Sequence, residues 1–169
     1  MPDSERILSG SNDAEIALWD GNSNRLLWKF CGHDAAVLSV SVSVLGDKVF
    51  SSSRDKTIWV WDLDIKENIS IFHGHTAPIN DIKLLPDGHW VMSASDDGSL
   101  RIWDVQTGNP LTLPQRMPFR ILSVNISCDG NHIAFSGTDN QVHTVGQKTV
   151  PMFGCFAKID LEQIRKNRK

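Results

Sequence analysis

Serine, histidine and aspartate return together twice along this chain. His33, Ser51 and Asp55 form one set, and His75, Ser93 and Asp97 the other. Each residue is displaced from its counterpart by 42 positions (75 − 33, 93 − 51 and 97 − 55). These are the residue types of a hydrolytic triad, in which a base takes a proton from a hydroxyl and an acid orients the base. The count argues against that chemistry: an active site is built once, and a set repeated at a fixed period belongs to a framework. His73-Gly74-His75 has an H-x-H spacing that suits a metal, but no Cys, Asp or Glu completes a ligand set. No glycine-rich phosphate loop is present. The residues predict a protein that is not an enzyme, with no catalytic, cofactor or metal residue.

The elements that carry these residues are hairpins. Residues 93–104 read strand, tight turn, strand, with Asp97-Gly98 as a two-residue hairpin signal. The same stretch occurs at residues 51–62 and 9–20, each copy ending in Trp-Asp. Those pairs begin at 19, 61 and 103, so the period is again 42 (61 − 19 and 103 − 61). Each unit supplies further extended runs: Leu26 to Phe30, Val37–Val42, Asn68–Phe72, Ile79–Leu84 and a short one at Leu111 to Leu113. A fourth unit keeps the register through Ile121–Ile126, His132–Phe135 and Gln141–Val145. It has Val145-Gly146 where Trp-Asp is expected and Arg116-Met117 where Gly-His is expected. Val150 to Phe156 reads as a last strand, and Ile159 to Lys169 as a short amphipathic helix or tail with a basic end. A solvated tail explains those charges more simply than nucleic acid or acidic lipid does.

Composition sets outer bounds. The chain has 169 residues, 40% apolar and 22% charged, with a net charge of -3, as in a globular protein with no strong pull toward nucleic acid or membrane. No apolar run approaches the ~20 residues of a membrane helix. Residues 1–6 carry no secretory pattern. Three cysteines with no CxxC fit a reducing compartment, and the expected address is cytoplasmic, with the nucleus also open.

Gly32-His33 and Gly74-His75, each followed by Trp-Asp at a period in the low forties, resemble the WD40 repeat family. The resemblance implies an all-β fold of propeller blades, four strands per blade, in about four units with the last degenerate. The units run roughly 1–30, 31–72, 73–115 and 116–157, followed by the basic tail at 158–169. It also implies a hydrogen-bonded chain inside each full blade: His33, Asp55, Trp61 and one of Ser51 or Ser53, then His75, Asp97, Trp103 and one of Ser93 or Ser95. Unit one lacks the Gly-His, and unit four should lack the chain.

Comparing the copies with one another separates frame from variable positions. Asn12, Arg54, Asp96 and Thr138 precede the turn; Ala17, Trp59, Arg101 and His143 stand two before the Trp position; Ala36, Pro78 and Arg120 precede the first strand. By resemblance, the first and third of these columns lie on the rim around the narrow end. Arg54, Asp96 and Arg120 are therefore candidate partner contacts, with Trp59 as an aromatic anchor if exposed. Some members join cullin ubiquitin ligases through an Arg two residues after Trp-Asp; Asn22, Asp64 and Gln106 stand there and argue against that role.

Closed rings of the family hold about seven or eight blades, and this sequence begins at the second strand of its first blade. Three arrangements answer that: a fragment of a longer protein, two arcs paired into one ring, or an open arc capped by unit four. The first is favoured. The expected role is a non-catalytic scaffold that assembles complexes of proteins or peptides, with self-association as one way to close the ring. The alternative is a sensing or regulatory segment of a larger signalling protein.

Overall fold

The computed structural model describes residues 6–111 and 116–146, which contain strands and turns and no helix. β1 (Arg6–Gly10), β2 (Glu15–Asp20) and β3 (Leu26–Cys31) form blade one. Blade two is β4 (Val37–Val42), β5 (Lys48–Ser53), β6 (Ile58–Asp62) and β7 (Asn68–Phe72). Blade three is β8 (Ile79–Leu84), β9 (Trp90–Ser95) and β10 (Leu100–Asp104). Blade four is β11 (Ile121–Ile126), β12 (His132–Gly137) and β13 (Val142–Gly146). Every pairing is antiparallel between sequence neighbours. The chain is thus a partial, open propeller. Leu111 lies outside any strand, although its N–H reaches the Ile102 carbonyl at 2.8 Å. The rest of the short run expected there, the last strand at 150–156 and the basic tail fall outside the described residues.

The turns repeat as faithfully as the strands. Ala14, Lys56, Gly98 and Asn140 all have positive φ, and they are 42 residues apart. So are Asn24, Lys66 and Gly108, and Gly46, Gly88 and Gly130. The hairpin loop is not the two-residue turn that Asp97-Gly98 suggested. Gly98 N–H closes a β-turn onto the Ser95 carbonyl at 3.1 Å and is itself left-handed, so the loop is one residue longer. Lys56 makes the same closure onto Ser53.

Bulges repeat too. The pairing of each first strand slips at one residue, between Val37 and Ser39, Ile79 and Asp81, and Ile121 and Ser123. The slip turns the first and fourth residues of each strand to the same side instead of alternating. Val37, Ile79 and Ile121 can then join Ile82 and Val124 in the cores between blades.

Three such cores hold the arc together. Ile16, Leu18 and Phe30 of blade one meet Val37, Val49 and Trp61 of blade two. Phe50, Ile58, Val60 and Phe72 meet Ile79, Ile82, Val91 and Trp103. Trp90, Met92 and Ile102 meet Ile121, Val124, Ile133 and Phe135. Burying each aliphatic side chain contributes about 1.5–3 kcal/mol, so these faces set the stacking order.

Candidate functional site

Inside blade three the repeated polar residues form a single directed chain. Trp103 Nε1–H donates to Ser93 Oγ at 2.8 Å, Ser93 Oγ lies 2.7 Å from His75 Nε2, and His75 Nδ1 lies 2.9 Å from Asp97 Oδ2. Blade two repeats it with Trp61, Ser51, His33 and Asp55 at 2.8, 2.8 and 2.6 Å. A carboxylate only accepts, so Nδ1 carries the proton, Nε2 accepts from the serine, and the serine accepts from the indole. Ser51 and Ser93 are the members, while Ser53 and Ser95 have a separate task. They donate to the carbonyls of Ala35 and Pro78 and accept the N–H of Asp55 and Asp97, tying the hairpin loop down.

The electrostatics suit a static role. Burial lowers the pKa of His33 and His75, so both imidazoles are neutral near pH 7. Burial acts to raise the pKa of Asp55, but hydrogen bonds from Thr57 and His33 outweigh it and hold the group below its usual value. In Asp97 the burial effect is likewise outweighed, by His75, Ser99 and the Thr76 N–H. Ser51 and Ser93 are fully buried, so no substrate reaches a hydroxyl that already accepts an indole proton. Gly32 and Gly74 belong to the same arrangement. A Cβ on Gly32 would lie 2.3 Å from the Trp59 ring, and one on Gly74 would lie 2.8 Å from Arg101.

Blades one and four show what survives when members are lost. Trp19 still donates to Ser9 at 2.9 Å, without an imidazole behind it. In blade four, Phe135 and Val145 occupy the serine and tryptophan positions. His143 reaches Asp139 at 2.7 Å from its strand and stacks between Phe119 and Phe135, with ring centroids 5.1 and 5.0 Å away. The chain of blades two and three is missing there, and an aromatic sandwich with a new histidine replaces it. No copy of the repeat hinted at that exchange, because His143 stands in a variable column.

The variable columns divide. Arg54 N–H bonds the Ala36 carbonyl at 2.9 Å, Asp96 N–H that of Pro78 at 2.9 Å, and Thr138 N–H that of Arg120 at 3.0 Å. The first and third columns are therefore neighbours in three successive blades. Arg54 is exposed, and Arg120 Nη1 meets Asp96 Oδ2 at 3.2 Å. Asp96 also accepts from Asn80 Nδ2 at 2.7 Å, so one of its oxygens serves the junction of blades three and four. Beside it lies a shallow cleft of about 250 Å³, lined by Asp96, Gly98, Met117, Pro118, Phe119 and Arg120 among others. Trp59 is different. It is half-buried, stacked 5.0 Å from Trp61 and tilted at 5.0 Å from His33, with its N–H on Thr57. The exposure that an anchor requires is only partly there, since the ring covers the polar chain. Arg101 takes the same place over Trp103.

Sequence reasoning missed Asp81. Its carboxylate accepts from Ser39 Oγ of blade two at 2.9 Å and from Ser123 Oγ of blade four at 2.8 Å. It also accepts the Val124 N–H at 3.0 Å. Residues 39, 81 and 123 share one repeat column, which was the available signal. Missed as well was the Asp of each Trp-Asp pair, which caps the following turn: Asp62 accepts the N–H groups of Asp64 and Ile65, and Asp104 those of Gln106 and Thr107. His73 is exposed and His75 has both ring nitrogens engaged, and no metal-binding cluster of His, Cys, Asp and Glu occurs among the described residues.

Residues 24–62 and 66–104 match the family described as "WD domain, G-beta repeat". A comparison with curated proteins found no match. Repeats of this family generally mediate protein–protein contact and are generally not catalytic. With two matched repeats, and their 42-residue register carried through four blades, the chain carries repeats of the WD40 family.

Proposed function

We propose that this protein is a non-catalytic scaffold that assembles protein complexes, receiving partners on the rim where Arg54, Asp96 and Arg120 stand. The observation that carries the reading is the rim itself. Its two variable columns are bonded to each other within each of three consecutive blades, and Arg120 meets Asp96 next to a cleft whose apolar lining includes Met117, Pro118 and Phe119. Exposed arginine beside aromatic and methionine side chains is the composition that interfaces favour. Exposed ion pairs contribute about 0–1 kcal/mol to folding, so the Arg120–Asp96 bridge can open to a partner at little cost. A cytoplasmic address goes with this reading, supported by Cys31 and Cys128, both exposed thiols.

The test is co-purification of the intact chain and its Arg54→Glu and Arg120→Glu variants, with cross-linking to locate the contacts. The reading expects at least two proteins held in one assembly by the wild type and lost from the rim variants at unchanged melting temperature. Cross-links that avoid the rim, or assemblies indifferent to both substitutions, would count against it.

A further inference from the structure

Two arginines break the repeat in blade three and the segment that follows it. Arg101 stands where blade two has Trp59 (101 − 59 = 42), and Arg116 where the glycine of Gly74 would recur (116 − 74 = 42). Both side chains reach the loop Gly74-His75-Thr76. Arg101 Nη1 lies 2.8 Å from where a Cβ on the exposed Gly74 would stand, and Arg116 Nη2 donates to Thr76 Oγ1 at 3.2 Å. The backbone brings them together. Arg116 bridges Ser99, two residues before Arg101, and the Met117 N–H bonds the Gly98 carbonyl at 2.7 Å.

Arg101 is 7% exposed, and its Nε is buried with no hydrogen-bond acceptor. The Trp103 ring beneath it, 5.9 Å to the centroid, supplies no lone pair to those N–H groups. The carboxylate whose charge reaches it, that of Asp97, is fully engaged. One oxygen faces His75 Nδ1 and takes the Thr76 N–H, and the other takes the hydroxyl and N–H of Ser99. Among the described residues no carboxylate forms an ion pair with Arg101 or Arg116. Burial lowers the Arg101 pKa; Asp97 opposes that, and the Arg116 charge adds to it. Arginine still keeps its proton, so two cations that repel each other meet at one loop, beside the neutral His75. A buried charge without a counter-charge is unfavourable, and an anion relieves both the burial and the repulsion.

We infer that Arg101 and Arg116, with the Thr76 hydroxyl, form a binding site for one phosphate group. A guanidinium presents its N–H groups in a planar fork that matches phosphate oxygens, and a dianion balances two cations where a carboxylate balances one. Thr76 Oγ1 accepts from Arg116, which leaves its own proton free to donate to an anion oxygen. Free phosphate and a phosphorylated side chain of another polypeptide both carry this group. Neither arginine lines the cleft of the rim, so the site stands apart from the rim reading.

Trp103 reports on the site, because Arg101 lies over its ring. Three probes are titrated into the intact chain at constant ionic strength, with the indole N–H signals followed by NMR. They are inorganic phosphate, a Gly-Ala peptide carrying one phosphoserine, and the same peptide without the phosphate. Phosphate or the phosphoserine peptide should move the Trp103 Nε1–H signal, and the unphosphorylated peptide should not. Arg101→Met, which keeps an apolar stem over Trp103, and Arg116→Gln, on an exposed side chain, should each weaken binding about tenfold. Lys56→Gln, at another exposed cation, should change nothing. Circular dichroism verifies folding of each variant. Tighter binding of the phosphopeptide than of phosphate assigns the group to a partner chain, and equal or weaker binding assigns it to the free anion; both support the site. A Trp103 signal unmoved by every probe would overturn the inference, as would a response that survives both arginine substitutions or that Lys56→Gln reduces as much.

Discussion

Ser93 stands between a donor and an acceptor that have no water to turn to. Ser93→Ala leaves the Trp103 N–H and His75 Nε2 buried without their partner, and should lower stability by about 1–3 kcal/mol in urea titration. Ser9→Ala, at the exposed end of the arc, should stay within about 0.5 kcal/mol. The histidines predict a pH dependence. Burial holds their folded pKa below 6.5, so the unfolded chain takes up protons first as pH falls. That part of the stability is complete above pH 6.5 and declines below it. Asp55 and Asp97 are also held low, and their share is present above 3.8 and lost beneath it. The urea midpoint should therefore fall in two stages on acidification. A midpoint that is flat from neutrality to about pH 4.5 would contradict neutral burial of the histidines.

At the scale of the hairpin, one backbone conformation is met by four different residues. Ala14, Lys56, Gly98 and Asn140 share the left-handed turn position, and only glycine adopts it without strain. Lys56→Gly should raise the melting temperature, by the equivalent of up to about 1 kcal/mol. Gly98→Ala should lower it by more than that, because the added Cβ would also lie 2.4 Å from the Met117 carbonyl oxygen. The opposite order of these two shifts in a thermal scan would refute the turn geometry. The sequence showed the turn's place through Asp97-Gly98, yet its length depended on a hydrogen bond from Gly98 to Ser95 that no dipeptide pattern specifies.

Across the whole molecule, Asp81 is the point where three blades meet. β4, β8 and β11 lie side by side, and the carboxylate takes a hydroxyl from each neighbour. Asp81→Ala should cost about 2–3 kcal/mol and lower hydrogen-exchange protection in all three strands together. Loss confined to β8 would mean that the blades open independently.

The sequence by itself determined the period, most of the strand runs and the order of blades, and its resemblance to the family implied the polar chain apart from the choice of serine. Each of these is a spacing along the backbone, repeated with Trp-Asp and Gly-His marks that few other folds produce. Only the tertiary structure decided which serine joins the chain, since Ser51 and Ser53 point the same way in a strand of period two. It alone turned Trp59 and Arg101 inward over the buried tryptophans, exchanged the blade-four chain for His143 between two phenylalanines, and joined Ser39, Asp81 and Ser123. The last of these links residues that are neighbours only after blades 42 residues apart have stacked, with a bulge in each first strand setting which side chains face inward.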